Sequence, residues 1–225
     1  MTVCETEISR VTRPKEATKA NYDKLSKWYD ILAGRSEKKY RDAGLQKLRV
    51  GKGEIVLEIG FGTGHCILSL AHLVGESGKV YGIDISAGML ERAGARVEEA
   101  GLSERVDLKC GDAAKLPFGA NFFDVVFMSF TLELFDTPDI ATVLLECQRV
   151  LQNGGRICIV ALSKKGKPSV MTRLYEWAHR KFPSYVDCRP IFVQKALEDV
   201  CFQILDGGEM SMWGLPVEIV VARKP

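Results

Sequence analysis

The chain has 225 residues, enough for one well-packed domain and few for two. Hydrophobic residues make up 46% of it and charged residues 27%, with a formal net charge of +2, as is ordinary for a soluble globular protein. No apolar run approaches the ~20 residues of a bilayer-spanning helix, and the first residues lack the apolar core of a signal peptide, which favours a cytoplasmic protein.

The seven cysteines are odd in number and scattered, and no two have C-x-x-C spacing. Such a pattern is typical of free thiols in a reducing cytosol. It argues against a disulfide framework and against a structural metal, so no metal site is expected.

The first segment, residues 1–52, carries thirteen Lys and Arg residues against seven Asp and Glu residues, a net charge of +6. A basic segment of this kind usually forms a solvated face. It can also meet an anionic surface or an anionic substrate, and both interpretations stay open here.

From residue 54 onward, short apolar runs alternate with helical patterns, which predicts βαβ units in a largely parallel sheet. Five strands are predicted in this order: "EIVLEI", "KVYGID", "RVDLKC", "FFDVVFMSF" and "RICIVAL". Ser86 caps one helix, and another runs from about Pro138 to Leu151 and ends at the Asn153-Gly154-Gly155 turn. After a last helix, "FQILDGGEM" and "PVEIVVAR" predict a strand pair, one member antiparallel. The expected fold is therefore an α/β doubly wound, mostly parallel seven-stranded sheet with helices on both faces.

A turn with glycine at alternate positions, Gly60, Gly62 and Gly64, directly follows the first strand. In a doubly wound sheet this turn lies at the ligand-binding edge. A dinucleotide fingerprint has G-x-G-x-x-G spacing instead, and Glu58 at the strand end would repel a pyrophosphate. The turn therefore favours a ligand that carries an ammonium group over a phosphate, and an NAD-dependent dehydrogenase is disfavoured.

Two more acids end the next strands. Asp84 can accept hydrogen bonds from both hydroxyls of a ribose. Asp112 can accept from an exocyclic adenine amine, beside the backbone N–H of Ala113. Three successive strand ends thus describe a nucleoside with a cationic amino-acid tail.

The segment from about Tyr22 to Leu162 resembles the class I S-adenosylmethionine-dependent methyltransferases, and most of all the UbiE-like methyltransferases of ubiquinone and menaquinone biosynthesis. The motifs "VLEIGFGTG", "VYGIDISAGML", "GDAAKLPFGANFFDVV" and "ECQRVLQNGGRICIV" follow that family's order and separations. The resemblance implies that S-adenosylmethionine is the cofactor. It also implies a Rossmann-like fold and a set of cofactor-binding residues: Tyr29, Glu58, Gly60, Gly62, Thr63, Gly64, Asp84, Ile85, Met89, Asp112, Ala113 and Ser129.

The segment "NYDKLSKWYD" resembles the tyrosine-bearing lead-in helix of these enzymes. Tyr22 and Tyr29 lie two helical turns apart and share a face with Leu25, either over the cofactor or in the core. Residues 1–52 are therefore expected to be a helical lead-in and cofactor lid, and residues 53–225 the methyltransferase domain.

The acceptor side departs from the family pattern. Residues 163–190 form an insert with a local net charge of +5, and Val170, Leu174 and Trp177 follow helical spacing within it. A basic amphipathic helix can admit an apolar acceptor from an anionic membrane surface, or it can be a lid packed on the sheet. The expected acceptor is a small molecule, apolar or amphiphilic, such as a quinone precursor or lipid headgroup.

A methyltransferase needs a base only if its acceptor loses a proton. Glu133 after the fourth strand and His65 at the start of a helix are the candidate catalytic residues, and His179 is a third. A solvated loop carboxylate is the alternative role for Glu133. Methylation of RNA or protein, and a non-catalytic S-adenosylmethionine-binding module, remain alternative functions. The segment "SFTLELF" replaces the N-P-P-Y motif of amino-methyltransferases that act on nucleic acids, so no DNA partner is expected.

Overall fold

The computed structural model describes Ile8 and residues 35–165, 170–181 and 188–225. Within these ranges the chain forms α-helices and strands in this order: α1 (Arg35–Leu48), β1 (Ile55–Ile59), α2 (His65–Val74), β2 (Lys79–Asp84), α3 (Ala87–Glu99), β3 (Val106–Cys110), β4 (Phe123–Ser129), α4 (Thr137–Val150), β5 (Leu151–Leu162), α5 (Val170–Lys181), α6 (Val193–Asp199), β6 (Gln203–Met212) and β7 (Leu215–Arg223). Of the predicted lead-in, α1 is the described helix, and a domain boundary at residue 52 stays a prediction.

All seven strands form one sheet in the order β3-β2-β1-β4-β5-β7-β6. The pairs from β3 to β5 are parallel, whereas β7 runs antiparallel to both β5 and β6. The predicted fold is therefore confirmed, including the antiparallel pair at the end of the chain. The strand order reverses between β1 and β4, and in such sheets ligands bind beyond the carboxyl ends of the strands at this point.

Two apolar clusters, one for each face of the sheet, form the core. Side chains of α1, α2 and α3 pack on one face, and side chains of α4 and α6 on the other. β1 divides its residues between them, because Val56 belongs to the first cluster and its neighbour Leu57 to the second. This alternation along a strand buried on both sides explains why "IVLEI" is almost continuously apolar.

Most predicted elements agree with the structure, and Ser86 caps α3 as expected, since its hydroxyl accepts from Met89 N at 3.1 Å. The fifth strand differs. The turn that was predicted to end the helix lies inside β5, which begins at Leu151 directly after α4. Gly154 N donates to the Lys224 carbonyl at 3.1 Å, and Lys224 N donates to the Gly155 carbonyl at 2.9 Å. The two glycines therefore extend the strand toward Lys224 instead of forming a free loop.

In the described part of the chain, no helix is long and apolar enough to cross a membrane. The six described cysteines are free thiols. No group of three or more His, Cys, Asp or Glu side chains among the described residues is arranged to hold a metal ion.

Candidate active site

The glycine turn leaves β1 and enters α2 with three residues in the left-handed region, where φ is +71° at Gly60, +52° at Gly62 and +84° at Gly64. Residues with a Cβ seldom adopt these angles, so glycine is required at each position for the chain to turn this sharply. Gly60 N donates to the Ile83 carbonyl at 2.8 Å and so ties the turn to the end of β2.

The three glycines differ in what surrounds them. A Cβ at Gly60 would collide with the side chain of Thr131, and one at Gly64 would lie 2.9 Å from the Ala93 Cβ. At Gly62 no atom of the described residues lies within 4 Å of the position that a Cβ would take. Gly60 and Gly64 therefore allow close packing within the protein, while Gly62 borders open space at the ligand-binding edge.

Asp84, at the end of β2, joins this turn. Its Oδ2 accepts from Gly62 N at 2.9 Å, and its Oδ1 accepts from Ser86 N at 2.9 Å. These two backbone amides fix both oxygens of the carboxylate against the glycine turn and the start of α3. The structure thus brings together the glycine turn and the strand-end acid that the sequence had placed 22 residues apart.

Glu58 is a buried carboxyl group in β1, with 3% of its surface exposed. Burial raises its pKa well above the usual value, and the negative charge of Asp84 raises it further. The positive charge of Arg41 and a hydrogen bond from the Cys66 thiol act in the opposite direction. Among the described residues, Glu58 Oε2 has no hydrogen-bond partner, although it is shielded from solvent. A cationic ligand group would satisfy this oxygen and repay part of the cost of its burial.

Two arginines near the turn were not predicted. Arg41 of α1 bonds Glu37 at 3.3 Å and acts electrostatically on Glu58. Arg96 of α3 donates from Nη1 to the Thr63 carbonyl at 2.6 Å and to its Oγ1 at 3.2 Å, which fixes the middle of the turn. Both belong to helices remote in sequence from the turn, and neither follows a motif, so the sequence pattern alone could not have identified them.

The third strand end also lies beside the second. Gly111 N donates to the Asp84 carbonyl at 2.8 Å, and the Cys110 thiol donates to the Ile85 carbonyl at 3.4 Å. Asp112 Oδ1 accepts from Ala114 N at 2.9 Å, which orders the loop after β3. Ala113 is buried in this loop. The segment predicted to bind the adenine therefore lies next to Asp84, the residue predicted to bind the ribose.

Met89 and Ser129 complete the expected cofactor set on α3 and β4. Met89 is buried at the first turn of α3. Ser129 ends β4, and its carbonyl accepts from the Thr131 hydroxyl at 3.0 Å. Its own hydroxyl oxygen is buried and has no partner among the described residues. Tyr22 and Tyr29 lie outside the described residues, so the expected contact of Tyr29 with the cofactor stays a prediction.

The candidate bases occupy different environments. Glu133 is fully buried, and its Oε1 accepts from Leu162 N at 3.2 Å, linking the ends of β4 and β5. The alternative that Glu133 is a solvated loop carboxylate is therefore wrong. His65 is exposed at the first residue of α2, whereas His179 of α5 is buried.

α5, in the acceptor-side insert, is oriented unexpectedly. Thr172 and His179 are buried, and Tyr175 packs against the core. Leu174 and Trp177, which were expected to cover an acceptor or pack on the sheet, are 55% and 48% exposed. The apolar stripe lies on the outside of the helix because these three other side chains occupy the inner positions.

Known proteins share both the sequence pattern and the fold. Residues 56–155 match the model of the methyltransferase domain family. A demethylmenaquinone methyltransferase of Bacillus velezensis is 28% identical over 228 residues, which cover 91% of this chain and 95% of that protein. A demethylmenaquinone methyltransferase of Geobacillus stearothermophilus is 37% identical over 151 residues, covering 67% of this chain and 62% of that protein.

Solved structures share the architecture. The [4+2]-cyclase SpnF has a TM-score of 0.78 at 20% identity, with 96% of this chain and 99% of that chain covered. A SAM-dependent methyltransferase from Aquifex aeolicus has a TM-score of 0.64 at 22% identity, with 92% and 98% covered. At these identities the similarity establishes the fold.

Proposed function

We propose that this chain, an S-adenosylmethionine-dependent methyltransferase similar to demethylmenaquinone methyltransferases, methylates a small apolar or amphiphilic acceptor of the quinone class. S-adenosylmethionine is the cofactor. The support for a quinone-like acceptor is the similarity, at 28% and 37% identity, to two proteins named demethylmenaquinone methyltransferase.

We assign the binding of the cofactor to the carboxyl ends of β1 to β4. In this assignment Asp84 accepts from the ribose hydroxyls, Asp112 and Ala113 bind the adenine, and Met89 lies against its face. Gly60, Gly62, Thr63 and Gly64 surround the methionine portion, with Glu58, Ile85, Ser129 and Tyr29 completing the set. When bound, the cofactor supplies a methyl group already activated on a sulfonium.

The observation that supports this assignment is the buried carboxyl of Glu58 in β1, the strand that leads into the glycine turn. Its Oε2 lacks a partner among the described residues, and an ammonium group of an amino-acid tail is a donor that would satisfy it. A pyrophosphate at the same position would be repelled by the Asp84 carboxylate and would disfavour ionisation of Glu58 further, whereas a cationic group favours the ionised form. The residues present therefore fit the proposed cofactor and do not fit a dinucleotide.

We assign the proton-accepting role to Glu133. Methylation of a ring carbon replaces a C–H bond with a C–C bond, so a proton must leave the acceptor. The support for this assignment is that Glu133 accepts from Leu162 N between the carboxyl ends of β4 and β5, and ligands of such sheets bind beyond those ends. His65 remains the second candidate, at the exposed start of α2.

A methyl-transfer assay tests the proposal. The purified protein is incubated with methyl-labelled S-adenosylmethionine and a demethylated naphthoquinol with a short isoprenoid chain. We expect label in the organic extract and a product heavier by one methylene. Labelled product confined to the aqueous phase of a whole-cell extract would replace the quinone class with a polar metabolite.

Asp84→Asn tests the ribose assignment, since the amide removes the negative charge of the carboxylate with almost no change in side-chain shape. We expect its cofactor affinity to fall by about 5- to 150-fold, which corresponds to about 1–3 kcal/mol for a hydrogen-bonded buried group. Asp107→Asn, at a half-exposed carboxylate in the first half of β3 that pairs with Lys109 at 3.8 Å, is the control that keeps wild-type affinity. Equal affinity of wild type and Asp84→Asn, measured by calorimetry, contradicts the ribose assignment.

A further inference from the structure

α5 has an inverted amphipathic arrangement. A surface helix normally buries its apolar stripe and exposes its polar face. Here Thr172 and His179 are buried, while Met171, Leu174 and Trp177 are 44%, 55% and 48% exposed. Because side chains three or four positions apart lie on one helix face, the exposed residues form a continuous outer stripe. Exposing this much apolar surface is unfavourable in water, so the stripe points to an apolar contact outside the described fold.

A second exposed apolar residue lies on another element. Trp213 and Gly214 form the two-residue turn between β6 and β7, bounded by the Met212–Leu215 pair. Their φ angles are +51° and +81°, the left-handed region that both central residues of such a turn require. Asparagine, aspartate or glycine normally occupies the first of these positions. A tryptophan there, 69% exposed, accepts backbone strain without gaining burial.

The turn and the helix are neighbours. A Cβ at Gly214 would lie 3.6 Å from the Met171 Cβ, so the tip of the hairpin is placed against the first turn of α5. Met171, Leu174, Trp177 and Trp213 are therefore grouped here as the outer apolar patch. Single apolar side chains scattered over a surface are normal, but this patch is built from side chains of a helix and of a hairpin that lie next to each other.

Basic residues accompany this patch. Arg173 and Lys181 are exposed on α5, and neither forms an ion pair with another described residue. The one acidic residue of this helix, Glu176, is bonded to Lys164 at 3.4 Å and is thereby neutralised. Tryptophan beside lysine and arginine is typical of surfaces that lie at the boundary between lipid headgroups and acyl chains.

We propose that the outer apolar patch docks this enzyme on an anionic lipid bilayer. This inference rests on the proposed quinone-class acceptor, because such a molecule is dissolved in the bilayer and would enter the site from there. The positive charge selects an anionic lipid surface, and Trp213 and Leu174 insert at the headgroup level. α5 then has both its faces in use, the inner one toward the protein and the outer one toward the membrane.

Vesicle co-sedimentation tests the inference. The full chain is mixed with vesicles of phosphatidylcholine alone and with vesicles in which about one-third is phosphatidylglycerol. We expect association with the anionic vesicles only, and a shift of tryptophan emission to shorter wavelength upon binding. At about 1 M salt, where the Debye length falls to about 3 Å, most of the association should be lost.

Trp213→Asn and Leu174→Ser are the test variants. Asparagine suits the left-handed position, so Trp213→Asn removes the indole and retains the turn. Each variant should lower the vesicle-bound fraction at least fivefold, on the order expected for loss of one large apolar side chain. Leu145→Ser on α4 is the matched control, since Leu145 is 51% exposed on another helix and should bind like wild type.

Both test variants should keep the wild-type cofactor affinity and the wild-type rate of methyl transfer to a water-soluble quinol. Failure of docking can then be distinguished from failure of the proposed function. If the wild type binds no vesicles, or if both test variants bind as well as Leu145→Ser, the docking inference is overturned. Self-association of the wild type that Trp213→Asn abolishes, without vesicle binding, would assign the patch to a second copy of the chain instead.

Discussion

Glu58 has two opposing effects, one on folding and one on ligand binding. Its pKa is raised chiefly by burial, so the folded protein holds a proton there that the unfolded chain releases at about pH 4.3. Between that pH and the raised folded value the folded state binds more protons, and stability therefore falls as pH increases. A cationic ligand reverses the balance, because it favours the ionised form.

Glu58→Gln should therefore stabilise the ligand-free protein at neutral pH and weaken its binding of S-adenosylmethionine. The gain in melting temperature over wild type should grow from about pH 4 upward, since glutamine has no charge to bury. Loss of cofactor affinity should be about 1.5–3 kcal/mol, the range for hydrogen bonds to charged groups.

Differential scanning fluorimetry across pH and calorimetric titration measure the two effects. Glu54→Gln, which breaks a half-buried ion pair with Arg156, is the control. It should not combine a gain in stability with a loss of cofactor affinity. A Glu58→Gln protein that is less stable than wild type at pH 7 would show that the carboxyl is a net stabiliser without ligand, contrary to expectation.

Residue types at strand ends could be predicted from the sequence, and their partners could not. Glu58, Asp84 and Asp112 lie within two residues of the carboxyl ends of β1, β2 and β3, so parallel pairing alone brings them to one edge. Arg41 and Arg96 reach the same edge from helix faces, and their direction depends on how each helix packs. No local spacing encodes that packing, which is why these arginines were missed.

The glycine turn behaves as an element with separate structural and binding positions. Gly60→Ala should destabilise the fold, because its Cβ would collide with Thr131 and φ is +71°. Gly62→Ala has a similar backbone cost, typically about 1–3 kcal/mol, but its methyl group would meet no atom of the described residues within 4 Å. We expect both variants to melt lower, with Gly60→Ala the lower of the two.

Folded Gly62→Ala protein should show a strong loss of cofactor affinity, since its methyl group enters the space assigned to the ligand. Circular dichroism melting and calorimetry at a temperature where both variants are folded separate the two quantities. Wild-type affinity in folded Gly62→Ala would mean that the ligand lies elsewhere along the sheet edge.

Element types were more predictable than element orientation. Short apolar runs predicted the strands and apolar residues at helical spacing predicted the helices, because the spacing of apolar residues reflects which side of each element is buried. Of the two interpretations of the insert, a lid that packs its apolar stripe on the sheet is wrong, because Leu174 and Trp177 are exposed, whereas apolar residues of a surface helix usually face the core. The boundary between α4 and β5 was also misplaced, because Gly154 and Gly155 are consistent both with a helix end and with a strand bulge.

The whole sheet has a central and a peripheral part. β1 lies between β2 and β4, with both faces covered, whereas β6 pairs with β7 alone among the described strands and exposes much of its length. A bulge at Ile204–Asp206 and the ion pair of Asp206 with Lys47 at 2.7 Å disfavour pairing of this edge with other chains.

Amide hydrogen exchange should follow this division. The amides of β1 and β4 should be the best protected, and those of β6 should open at least tenfold more readily, a difference of about 1.4 kcal/mol. Mass spectrometry of peptic fragments measures both regions in one experiment. Equal protection of β6 and β1 would show that the sheet opens only as a single unit.

The position of β7 between β5 and β6 has a consequence for synthesis on the ribosome. Residues 203–212 emerge before residues 215–223, yet they can join the sheet only through that later strand. A nascent chain that ends near Met212 therefore presents two unpaired strand edges, those of β5 and β6, which invite mispairing or chaperone capture. β6 can join the sheet only together with β7, as a hairpin that adds to the edge of β5, so this part of the enzyme is completed only after residue 223 has been synthesised.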